Sequence, residues 1–163
     1  MTMRRAFTLV ELLVTVAIVA VLATIVSAAV LPARAKARDA ARLAEMNQMG
    51  RFLLAISCYA PTAGPGDYDL QAVYEDLVTV NPQISQYLSE APRDPKSGNE
   101  TESGYRYAYS ADGKCALYAN LEDDGARVTL GNLTAPTAGG GTGVLAATQA
   151  GPNGSVNYFQ IAR

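Results

Sequence analysis

Few residues in this chain could do chemistry, and their spacing narrows the choices. The 163 residues contain no His, so the commonest general base and the commonest metal ligand are both missing. A Ser without a His has no evident proton acceptor, and no nucleophile–base pair can be drawn from the sequence. This argues against an enzyme. The two cysteines, Cys58 and Cys115, are too far apart for a CxxC redox site or a zinc knuckle. Outside the cytoplasm they would form one disulfide; otherwise they are two buried thiols. Acidic residues gather at Asp94, Asp112, Glu122, Asp123 and Asp124. They read as a solvated acidic face. The alternative is a set of oxygen ligands for Ca²⁺ drawn from Asp94, Asp112, Asp123 and Asp124, although no EF-hand spacing is present. No cofactor is otherwise expected.

Glu11 is the acidic residue whose position demands a reason. It stands at the edge of an uncharged apolar run, Leu12–Leu31, which as a helix would span about 30 Å, the thickness of a bilayer core. A carboxylate at mid-bilayer costs roughly 2.5–3.5 kcal/mol, and less near a helix end. The nearby cations are Arg4 and Arg5. A cut before Phe7 would create an α-amino group four residues from Glu11. A salt bridge from Glu11 to a neighbouring subunit's amine would then favour one axial register. An ordinary secretory signal fits less well. The apolar run is longer than such a signal needs, and Val26-Ser27-Ala28 is a poor cleavage site.

The segment Arg4-Arg5-Ala6-Phe7-Thr8-Leu9-Val10-Glu11-Leu12-Leu13 resembles the class III signal of type IV prepilins and their relatives, the type II secretion pseudopilins and competence pilins. The resemblance covers residues 1–31. It implies cleavage by a prepilin peptidase between Ala6 and Phe7, N-methylation of Phe7, and an assembly role for Glu11. Ala6 stands where the family usually has Gly, and is likewise small. The implied partners are further copies of this chain in a helical filament, an inner-membrane assembly platform with its ATPase, and membrane lipid before assembly. The implied location is the cytoplasmic membrane as a single-pass precursor, then the cell surface. Some secretion pseudopilins bind Ca²⁺ through C-terminal loops, and Pro92–Gly98 resembles a loop of that group. The rival of another class is a membrane-anchored binding protein that never polymerises.

The elements that must position these residues read as an α+β fold: a long N-terminal helix packed on a small antiparallel sheet. Residues 1–6 form a leader, 7–31 a transmembrane or filament-core helix, 32–59 an amphipathic continuation, and 60–163 a globular head. One helix is expected from about Phe7 to Ser57, with Pro32 bending or interrupting it. Leu43, Met46, Met49, Leu53 and Ile56 form its apolar stripe. Residues 60–67 read as a turn-rich break, and Leu70–Leu77 and Ile84–Leu88 as short helices split by Asn81-Pro82. Tyr105–Tyr109 and Cys115–Leu121 read as a hairpin, Arg127–Leu130 as a weaker strand, and Val156–Ile161 as the last strand. The tyrosines of the hairpin are expected to pack on the sheet. Residues 134–143 form a Gly/Thr-rich loop. Net charge is −2, so nucleic acid is not a primary partner. The basic cluster Arg34–Arg42 is read as a solvated helix face or a subunit contact. Asn99, Asn132 and Asn153 begin N-x-[ST] triplets, a weak signal.

Overall fold

The computed structural model describes residues 7–163. The expected leader, residues 1–6 with Ala6, lies outside the described residues. The chain divides into two compact units, Met1–Ala35 and Lys36–Arg163.

Helix α1 runs over Leu9–Leu53 and contains Pro32 without stopping. Pro32 removes one N–H from the ladder, yet the flanking residues are mostly strong helix formers, and the helix continues. In the first unit the helix is apolar on all sides, and its large side chains from Leu9 to Val26, with Leu31, are exposed. Hydroxyls inside the run bond back to helix carbonyls: Thr15 to Leu12 at 2.8 Å, Thr24 to Val21 at 2.7 Å and Ser27 to Ala23 at 2.8 Å. Each polar group is thereby satisfied within the helix, as a lipid environment requires. Among the described residues α1 is the one helix long and apolar enough to cross a membrane, with a window of mean hydropathy 2.8.

In the second unit α1 becomes amphipathic. Met46, Met49 and Leu53 are fully buried, and Leu43 packs against the same core. The expected stripe fails at Ile56, which is 89% exposed. The helix ends at Leu53 rather than Ser57, and the chain turns away to bring Cys58 to Cys115.

Strand β1 (Gly66–Asp69) leads directly into helix α2 (Leu70–Val80). Asp69 caps α2, its carboxylate accepting from the Gln71 N–H at 2.8 Å. Leu70, Val73, Tyr74 and Leu77 form the buried face at helical spacing. Asn81-Pro82 ends α2, and a 3-10 helix follows over Pro82–Gln86. The hairpin is present as β2 (Arg106–Tyr109) and β3 (Cys115–Asn120). Strands β4 (Gly143–Ala146) and β5 (Asn157–Ala162) complete a five-stranded antiparallel sheet, ordered β1-β2-β3-β5-β4. Tyr107, Leu117 and Ile161 lie in one cross-strand row on the face that meets the core.

Arg127–Leu130 is not a strand. The Thr129 and Leu130 N–H groups both donate to the Val144 carbonyl, at 2.8 and 2.9 Å, and the Thr129 hydroxyl accepts from the Val144 N–H at 2.9 Å. A hydroxyl replaces the ladder carbonyl, so the segment clips the edge of β4 without extending the sheet.

Candidate functional site

The N-terminal device begins at Phe7, which is exposed, and Thr8, which precedes the helix. The Thr8 N–H and hydroxyl both donate to Glu11 Oε2, at 3.0 and 2.9 Å. The Glu11 N–H donates to the Thr8 hydroxyl at 3.3 Å. This is a capping box: each residue's side chain satisfies a backbone N–H of the other at the helix start. Glu11 therefore has hydrogen-bond donors within its own chain, although Thr8 is neutral and brings no opposite charge. The signal was in the sequence as Thr8-x-x-Glu11 ahead of an apolar run. Both bonds fall on Oε2, so Oε1 remains uncommitted among the described residues.

The second constellation lies wholly in the head unit. Arg42 belongs to the cluster read as a solvated helix face or a subunit contact, but it is fully buried within the head. Its Nε and Nη2 donate to the two oxygens of Asp94 at 2.7 and 2.9 Å, a bidentate pair. Its Nη1 reaches Asp39 at 2.6 Å and Glu122 at 2.7 Å. Arg38 closes a second fork on Glu122 at 2.7 and 2.6 Å. Asp39 also accepts from the Glu122 and Asp123 N–H groups, at 2.9 Å each. Asp94 accepts further bonds from the Lys96 and Ser97 N–H groups and from the Asn153 side chain, at 2.8, 3.0 and 2.8 Å. Burial opposes charge on Asp94, yet Arg42 and these N–H donors outweigh it and hold the carboxyl well below the usual carboxylate range. Glu122 is lowered to about 2 by Arg38, against burial and with help from Arg42. Burial likewise opposes charge on Arg42, but its carboxylates push its pKa further up.

This clasp answers two earlier expectations. Asp94 is not part of a solvated acidic face, and its oxygens are saturated by a guanidinium and by N–H donors. Asp112 sits at the hairpin turn with Lys114 at 2.5 Å, and Asp123 accepts from the Gly125 N–H at 3.0 Å. The Ca²⁺ candidates Asp94, Asp112, Asp123 and Asp124 are thus not brought together as a ligand set. Among the described residues no group of three or more His, Cys, Asp or Glu could hold a metal ion. Asn153, a triplet Asn, is buried inside the clasp. Arg38 and Arg42 account for half of the basic cluster, and both are matched by carboxylates.

Cys58 and Cys115 are joined by a disulfide, with Cα atoms 5.7 Å apart. The Arg163 guanidinium donates to the Leu54 and Ala55 carbonyls at 3.0 and 2.9 Å, and the Arg163 backbone pairs with Cys115. The end of α1 is thereby tied to β3 at one place. Of the hairpin tyrosines, Tyr105 and Tyr107 are fully buried, and the Tyr105 hydroxyl donates to Glu45 at 2.5 Å. Tyr118 instead lies on the opposite face, against Tyr158.

Residues 1–27 match the family described as the prokaryotic N-terminal methylation motif. No curated protein and no solved structure matches the chain. The motif is the class III signal of type IV pilins and pseudopilins, and the long helix followed by a small antiparallel sheet is consistent with the type IV pilin fold. Over residues 1–27 the chain is thus similar to type IV pilin and pseudopilin precursors, and the motif supports reading it as one.

Proposed function

We propose that the chain is a structural subunit of a type IV pilus-like surface filament. A prepilin peptidase cuts it between Ala6 and Phe7, Phe7 is methylated, and copies polymerise through the apolar half of α1. The observation that carries this reading is the methylation motif set on an all-round apolar helix. Such a surface has no stable place in water, so it stays in lipid or is buried against copies of itself. Before assembly the subunit is held in the cytoplasmic membrane by this one helix. The assembly platform and its ATPase then extract it. The Gly/Thr-rich loop 134–143 and the disulfide favour a pilus subunit over a type II secretion pseudopilin, because both suit a head exposed on a filament.

Mass spectrometry of the mature protein tests the cut, and electron microscopy of sheared surface material tests the filament. A chain starting at methyl-Phe7, found in filaments, is the expected result. An intact Met1 in every cellular fraction would identify a non-polymerising membrane anchor and overturn the proposal. Methyl-Phe7 confined to the membrane under conditions of active secretion would favour a pseudopilin.

A further inference from the structure

The sheet face turned away from the core carries a polar cleft of about 310 Å³. Its floor follows from strand register. Arg106 on β2 pairs with Tyr118 on β3, and Asn120 on β3 pairs with Tyr158 on β5. Ser97 and Glu102 belong to one wall and Pro152 to the other. The walls are built tight against the floor. A Cβ on Gly151 would lie 2.3 Å from the Tyr158 hydroxyl, so this loop can touch the ring only as glycine.

The chemistry of the lining is mixed in a specific way. Tyr118 and Tyr158 meet edge to face, with centroids 6.3 Å apart and planes at 61°, forming an aromatic corner. Asp67 engages Arg106 through Nε and Nη2 and accepts from the Tyr118 hydroxyl, so both groups are held in place while Arg106 Nη1 stays uncommitted. The Ser97 hydroxyl is buried without a hydrogen-bond partner. Among the described residues, no side-chain hydrogen bond engages the Glu102 carboxylate or the Tyr158 hydroxyl. The cleft therefore offers an acceptor in Glu102, a donor in Arg106 and a hydroxyl in Tyr158 that can be either, beside aromatic rings.

A sugar ring has that complement: hydroxyls that both donate and accept, and a C–H face that lies against the negative face of an aromatic ring. Charge decides among sugars. Two carboxylates, Asp69 and Glu102, line the cleft, and its one guanidinium, Arg106, is already paired with Asp67, so the local field disfavours phosphate, sulfate or uronate groups. The volume lies at the lower end of the range for small-molecule sites and suits one or two rings. We propose that this cleft is a carbohydrate site for a neutral or amino sugar. It lies within the head unit, and its binding does not require a filament.

The test uses the full chain in a sugar-free detergent, with the N-acetylglucosamine disaccharide, the glucosamine disaccharide and digalacturonate as probes, read by ligand-observed NMR and calorimetry. At least one of the first two should bind, with a Kd on the order of a millimolar or tighter, and digalacturonate should not. Tyr158→Ala and Glu102→Gln should each weaken binding about fivefold or more. Glu102 is exposed, so its variant keeps the fold even if Tyr158→Ala does not. Failure of both non-acidic probes, equal binding of digalacturonate, or indifference to Glu102→Gln would overturn the proposal. None of these results bears on whether the chain polymerises.

Discussion

Arg42 and Asp94, 52 residues apart in sequence, form a two-point ion pair with both side chains entirely out of water. The pair joins α1 to the loop after residue 91, and Glu122 and Asp39 share the same guanidinium. Isolated buried charges are costly, but here nearly every donor and acceptor is answered. The clasp fixes which face of α1 the head holds.

Arg42→Met should destabilise the head by about 3–5 kcal/mol, because it leaves Asp94 and Asp39 as buried carboxylates without their cation. Arg34→Ala, at an exposed position, should cost less than about 0.5 kcal/mol. Thermal unfolding of the full chain in detergent would compare them. Equal melting temperatures would remove the clasp from the account of stability.

The clasp also predicts acid sensitivity. Glu122 is held at about 2, against an ordinary value of 4.5, and Asp94 is lowered as well. In the unfolded chain both groups take up protons first, so folding is favoured most where both states are deprotonated. The Glu122 contribution should be complete well above pH 4.5, fall as pH drops, and be gone below about pH 2, while that of Asp94, held lower still, persists to more acid pH. Arg38→Ala should move the acid-unfolding midpoint to higher pH. A midpoint that does not move would show that Arg38 contributes nothing to Glu122.

Removing the Cys58–Cys115 bridge opens a loop closed across 57 residues. The expected cost is about 2–4 kcal/mol. Hydrogen exchange should show the loss concentrated near the end of α1 and in β3, where Arg163 also ties them together. Uniform protection with and without reductant would contradict this.

Glu11→Gln separates two roles of one residue. Gln still completes the capping box with Thr8, but it carries no charge. If a neighbour's α-amino group is the partner of Glu11 in the filament, Glu11→Gln and Glu11→Ala should both abolish filaments while the head stays folded. Wild-type filaments from Glu11→Gln would assign the residue to helix capping alone. Thr8→Val should cost the helix start about 1 kcal/mol.

The processing motif, the apolar run, α2 and the β2–β3 hairpin were legible in the sequence because each is written in contiguous residues: a spacing, a period or a turn dipeptide. The edge strands β1 and β4 were not. Each has four residues, neither alternates cleanly, and each is a strand only because a neighbour offers it a ladder. Arg42 read as one more cation on a wet helix face. Its partners Asp94 and Glu122 lie far along the chain, and no local pattern records that a loop will fold over it. Even so, the short N-terminal stretch by itself carried the resemblance to pilin-like precursors, since such a motif is written in contiguous residues. Tertiary structure alone decided which charges are buried, which cysteine environment closes, and where the sheet leaves a cleft, because those depend on groups that meet only after the chain has folded.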